Sequence, residues 1–100
     1  MSSAADIGTI TADEFEARRE GTFQLQLRDG ELPLKLHAVQ RLGQSQRAGG
    51  AFSLIFVASP GRFLPQATYT LVHAEMGTLQ LFLVPIGPTE AGNGYEAVFT

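Results

Sequence analysis

A few residues in this chain have types and spacings that invite a chemical reading. His73 and Glu75 stand two positions apart, which puts them on one face of an extended strand. With His37 they would form a two-histidine, one-carboxylate set of the kind that holds zinc or iron. Glu75 falls in an expected turn, however, and nothing fixes His37 beside it. The preferred reading is a hydrogen-bonded histidine at the rim of the fold, with no metal site. Ser53 and Ser59 lack the glycine-flanked elbow of a hydrolase nucleophile, and no serine–histidine constellation is indicated. Gly92-Asn93-Gly94 offers backbone donors to an anion, but no strand-to-helix junction follows it, so it reads as a flexible turn. Arg41 and Arg47 flank a loop instead of forming a basic stripe. There are no cysteines, which removes disulfides and thiolate metal sites. With no paired acid–base groups either, the expectation is a non-enzymatic chain with no catalytic residue, no metal and no cofactor.

The elements that would position such residues are easier to read. One hundred residues make one domain, and a chain of this size buries roughly 65% of its unfolded surface, enough to fold without staples. The net charge of −3 argues against a nucleic-acid partner. The start lacks the basic and apolar regions of a signal peptide, and no apolar run approaches the ~20 residues of a membrane span. A soluble, cytoplasmic protein with no membrane partner is expected.

Residues 1–10 read as an N-terminal arm and 11–100 as a single β domain that opens with a helix over 11–20. Thr11 and Glu14 form a capping box, and Ile10 can staple onto Phe15. Asp13 and Glu14 suit the positive end of the helix dipole, Arg18 and Arg19 the negative end, and Gly21 is placed to stop the helix in the left-handed conformation. Thr22 to Leu42 reads as a β-hairpin around Asp29-Gly30, pairing Leu25 with Leu34 and Phe23 with Leu36. Pro33 suggests an edge. The alternation changes phase after Leu36, which predicts a bulge near His37-Ala38. Further strands are expected at Ala51–Ser59, Ala67–His73, Thr78–Ile86 and Tyr95–Thr100. Phe63 and Leu64 should tuck onto the core. A loop at Glu75-Met76-Gly77 would pair Leu71 with Leu81 and Tyr69 with Leu83. The fold class is therefore all-β: a six-stranded antiparallel meander closed into a small barrel or sandwich, with one short N-terminal helix.

Charge is spread unevenly. Residues 51–100 hold only Arg62, Glu75, Glu90 and Glu96, and the runs Ala51–Gly61 and Met76–Thr89 hold none. Both runs alternate with apolar residues on both faces, so both faces need cover. The core face should hold Phe23, Leu25, Leu27, Leu34, Leu36, Phe52, Leu54, Phe56, Leu71, Leu81, Leu83 and Phe99. A second apolar set, Ile55, Val57, Phe82, Val84 and Val98, is left for the helix, through Phe15, or for another chain to cover. The leading functional expectation is a structural or interaction module whose partner is protein, either another copy or an assembly component, bound through that second set. The alternative is a small-ligand barrel with an end cleft rimmed by Tyr69, His73 and Tyr95.

The strings FEARRE-GTFQLQLRDG, L-x-x-V-x-R-L-G over residues 36–43, FSLIF, LPQATYTLVHAEMGTLQLFLVPIGP and YEAVF resemble a family of small bacterial β domains of unknown function, over about residues 13–99. Members of that family are sometimes encoded beside tail-collar-like, phage-derived proteins. The resemblance implies a weak link to phage-tail-like assemblies and supplies no substrate, cofactor or active residue.

Overall fold

The computed structural model describes residues 10–43, 50–59 and 63–99. Residues 1–9 of the expected arm, Arg47 and Arg62 lie outside the described residues. Six strands, β1 (Thr22–Leu27), β2 (Gly30–Arg41), β3 (Phe52–Ala58), β4 (Ala67–His73), β5 (Gly77–Thr89) and β6 (Gly92–Phe99), follow one short helix, α1 (Ala12–Glu16). All pairings are antiparallel, and the sheet closes in the order β1-β2-β3-β6-β5-β4. The meander is interrupted once. β1-β2-β3 and β4-β5-β6 are two consecutive three-stranded units, and the segment between β3 and β4 carries the chain from one to the other. Closure removes the free edges that an open sheet of this size would expose.

The interior is filled by alternate residues of every strand, as a six-stranded barrel requires. Phe23, Leu25, Leu34, Leu36, Phe52, Leu54, Phe56, Leu71 and Leu83 are fully buried, with Leu81 and Phe99 nearly so. Leu79, Tyr95 and Ala97 join them. Leu27 and Tyr69 pack at the margin.

The helix does not lie on the outside of the sheet. Phe15 is fully buried with its ring centroid 5.7 Å from Phe99, 5.8 Å from Phe52 and 6.4 Å from Phe23. α1 is a plug in one end of the barrel, and Phe15 is a core residue. The capping box forms as the spacing predicts: the Glu14 amide donates to the Thr11 hydroxyl, and the Glu14 carboxylate accepts from the Thr11 amide at 2.8 Å. Ile10 is buried in the same cluster. The helix ends at Glu16, short of the expected Glu20. Beyond it the amides of Arg18, Arg19 and Gly21 bond to carbonyls three residues back, the tighter winding usual at helix ends. Docking decides the stop: the Glu20 amide is taken by the carbonyl of Leu36 on β2, and Gly21 returns the bond to Leu36. The left-handed residue is Glu20 (φ 70), not Gly21. Gly21 is needed for a different reason, since a Cβ there would sit 2.8 Å from the Arg18 carbonyl oxygen.

Both hairpin registers differ from expectation by two residues. β1 pairs Phe23 with Leu34 and Leu25 with Leu32, and β4 pairs Tyr69 with Leu81 and Leu71 with Leu79. The first turn is centred on Arg28-Asp29. Among the described residues only Glu20 is a non-glycine at positive φ, so Gly30 (φ 151) carries the unusual backbone after the turn. The second loop is Ala74-Glu75-Met76, closed by Gly77 at φ 81. Elsewhere the expected bulge appears, with the β2–β3 register shifting between Leu36 and Ala38. Pro33 pairs with Gln24 of β1, while the β2–β3 pairing begins only at Lys35. The proline thus sits on an overhang, a local edge in a closed barrel. β5 continues through Pro85 and Pro88 to Thr89, with a bulge between Pro85 and Gly87.

Candidate functional site

Alternation that turns Leu54 and Phe56 inward turns Ser53, Ile55 and Val57 outward, and the same parity places Phe82, Val84, Glu96 and Val98 on the outer face of β5 and β6. The registers arrange them in rows. Val84, Glu96 and Ile55 lie side by side across β5, β6 and β3, and Val98 lies beside Ser53. Phe82 and Val98 are 51% and 54% exposed. Val84 and Ile55 are half-buried. Val57, the fifth residue of the expected set, is buried and has no surface to offer. Its neighbour on β6 is Gly94, and the space a side chain would take there is filled by Ile86 and Thr89. Phe15, being inside the barrel, covers none of the outer set. Glu96 is the single Asp, Glu, Lys or Arg on β3, β4, β5 and β6.

The pairing of β5 makes this face unusual. Its first half, Gly77–Leu83, is laddered to β4, and its second half, Val84–Thr89, to β6. The β5–β6 ladder ends at Val84 and Glu96. Phe82 and Val98 therefore project from stretches that have parted company, β5 staying with β4 and β6 staying with β3. Two large apolar side chains flank the point where the sheet divides.

The alternative cleft is not assembled. Tyr69 and Tyr95 meet at the barrel end opposite the helix. Tyr69 donates to the Pro65 carbonyl at 2.6 Å, and the buried Tyr95 hydroxyl accepts from the Leu64 amide at 3.1 Å. Burial, with a smaller contribution from Tyr95, pushes the Tyr69 phenol above its ordinary range. His73 stands four residues along β4 from Tyr69, about 13 Å at strand rise, with its ring against Phe23 at 4.5 Å. Among the described residues, buried leucine and aromatic side chains occupy the interior. Leu64 is tucked in as expected, but Phe63 is 71% exposed. It borders an outer apolar pocket of ≈ 110 Å³ beside Pro85, Pro88 and Tyr95, well below the roughly 300–1,000 Å³ of a small-molecule site.

The other candidate groups are placed as follows. His37 is exposed on the β2 bulge and is not brought to His73. Among the described residues no three His, Cys, Asp or Glu side chains converge as a metal site would need. Ser53 is buried and donates to the Gln40 side chain. Arg41 pairs with Asp13 of the helix. Lys35 holds Glu20 at 2.8 Å, and that hydrogen bond keeps the Glu20 carboxyl below the usual range. Gly92-Asn93-Gly94 is strand, not turn, with Asn93 paired to Ala58. Gly92 is there because a Cβ would fall 2.3 Å from the Ala58 carbonyl oxygen. No helix among the described residues is long and apolar enough to cross a membrane.

A family model matches residues 10–99, from the residue before the helix cap to the end of β6. The chain belongs to DUF6916, a domain of unknown function. Neither the curated proteins nor the solved structures gave a match. The DUF6916 match spans the whole barrel and its plug. The resemblance read from the sequence strings thus holds at the level of an uncharacterised domain.

Sequence reasoning missed the bond from Leu64 to Tyr95 and the split of β5 between two partners. The first had a signal in the aromatic hydroxyl, since a buried tyrosine needs a partner. The second had none, because it depends on how two hairpins meet.

Proposed function

We propose that this domain is a non-enzymatic interaction module that associates with a second copy of itself through the outer face of β5, β6 and β3. The observation that supports this reading is the pair Phe82 and Val98. They are half-exposed, large and apolar, on a face whose three strands carry one charge. An isologous contact brings the same patch together from both copies. A two-fold axis at the Phe82–Val98 level stacks these two against their counterparts. Glu96 lies two residues away along the strand. The two carboxylates then stand about 13 Å apart, beyond the ~8 Å Debye length of physiological salt, so they do not oppose the contact. Four apolar side chains make a small interface, so the dimer should be weak and concentration-dependent.

Sedimentation equilibrium from 10 to 500 µM tests the reading (the range is on the order of that for weak complexes). The expected result is a monomer–dimer equilibrium that Phe82→Lys and Val98→Lys each abolish without changing the circular dichroism spectrum. A wild-type protein that stays monomeric throughout, or lysine variants that dimerise as well as wild type, would sink it. Among the described residues, aromatic and leucine side chains occupy the barrel interior, which supports the interaction reading over the ligand-barrel one.

A further inference from the structure

We infer that His73 is an acid-released latch. As a neutral imidazole it holds the β4–β5 turn closed, and on taking a proton it lets the turn go. The argument starts from Nδ1, which accepts from the Glu75 amide at 3.0 Å and from the Met76 amide at 3.2 Å. Both donors are backbone N–H groups and cannot reverse their polarity. Nδ1 must therefore carry a lone pair, which fixes the Nε2–H tautomer. Protonating Nδ1 sets one donor against two and removes both bonds at once.

The rest of the surroundings makes the cation unwelcome. One ring face lies on Phe23, tilted 37°. The Nε2 edge faces Gly21, where an added Cβ would be 3.5 Å away. Two charged groups face the imidazole: Arg18 from the segment behind α1 and Glu75 from the turn. They pair with each other at 3.9 Å. Arg18 also bonds the Glu14 carbonyl, and its Nε is buried with no hydrogen-bond partner. A proton on His73 adds a second positive charge beside that guanidinium. Glu75, although its side chain is 71% exposed, favours the cation more than Arg18 opposes it, so burial and the two amide donors, not the charges, are what disfavour the protonated ring.

Burial, the largest effect, holds the imidazole below its ordinary value. Glu75 works against this and Arg18 with it. A lowered folded value means the latch is fully engaged above the unfolded value of about 6.5 and is lost as pH falls through the folded value. What opens is local. The turn Ala74–Met76 and the Arg18–Glu75 contact release, while the β4–β5 ladder beyond His73 stays paired. The inference is independent of the proposed dimer, whose face lies elsewhere on β5 and β6.

Nitrogen-detected NMR of the imidazole in the full chain tests it, together with amide exchange between pH 7.5 and 5. The expected result is the Nε2–H tautomer at neutral pH with a titration midpoint below 6.5. Exchange of the Glu75 and Met76 amides, corrected for intrinsic rate, should accelerate as pH falls from about 6.5 toward that midpoint, by at most about tenfold per pH unit, and level off below it, while Leu71 and Leu79 hold. In His73→Asn a non-titrating oxygen can replace one acceptor, and the pH dependence should vanish. An Nδ1–H tautomer, a midpoint at or above 6.5, or turn amides equally protected at pH 5 would each overturn the inference. So would the same acid loss in His73→Asn. If that variant fails to fold, the wild-type tautomer and exchange data decide alone.

Discussion

Replacing Phe15 by alanine tests whether α1 is a plug or a cover. Phe15 has no exposed surface, and its ring touches those of Phe23, Phe52 and Phe99. Phe52 and Phe99 already stack at 4.5 Å and Phe23 stands on another strand, so little movement is open to them to fill the space left by the ring. Phe→Ala at such a site costs about 3–5 kcal/mol through lost transfer and residual cavity. A domain of this size has about 5–15 kcal/mol to lose. With an m-value of about 1.5 kcal/mol/M in urea, the midpoint should fall by about 2–3 M. Equilibrium urea unfolding followed by far-UV circular dichroism and tyrosine fluorescence measures this. Phe63→Ala is the control: Phe63 is 71% exposed, and its loss should stay within about 0.5 kcal/mol. If α1 instead lay on the outer sheet, Phe15 would be a peripheral contact worth about 1 kcal/mol. A Phe15→Ala cost below about 1.5 kcal/mol, or one equal to that of Phe63→Ala, refutes the plug.

Three further substitutions separate the physical reasons behind single residues, each read by the same unfolding assay. Gly92→Ala forces a Cβ onto the Ala58 carbonyl at φ 137 and should cost about 3 kcal/mol or more, from overpacking plus backbone strain. Gly30→Ala meets open space at φ 151, so only the backbone term of about 1–2 kcal/mol should appear; equal losses at the two glycines would contradict the steric account. Tyr95→Phe leaves the Leu64 amide without its acceptor in a buried setting and should cost about 1–3 kcal/mol. Its largest rise in amide exchange should be at Leu64, and unchanged exchange there would count against the bond.

Much of this fold was legible before any coordinates. The two-residue period of Phe23-Leu25-Leu27 and Leu79-Leu81-Leu83 assigned each side chain to a face, and the structure keeps every one of those assignments. The phase change after Leu36 revealed the bulge, and Thr11-x-x-Glu14 revealed the helix start. These are local signals, written in neighbouring residues and enforced by backbone geometry. The candidate face was half legible. Parity pointed Ile55, Phe82, Val84 and Val98 outward, but it could not say that Val57 would be buried.

What only the tertiary structure decided shares one physical cause. A shift of two residues leaves every side chain on its face, so alternation cannot distinguish the true hairpin registers from their neighbours. The choice falls to contacts around the turns, to Gly30 after the first and to the His73 imidazole across the second. Whether Phe15 would plug the barrel or coat it depended on where the barrel left an opening, which in turn depended on β3 meeting β6 and β1 meeting β4. Those encounters join residues 35 or more positions apart, from Ala58 with Asn93 to Phe52 with Phe99 and Leu25 with Leu71. No window of sequence contains both partners, so the strand order, the plug and the division of β5 exist only once the chain has closed on itself.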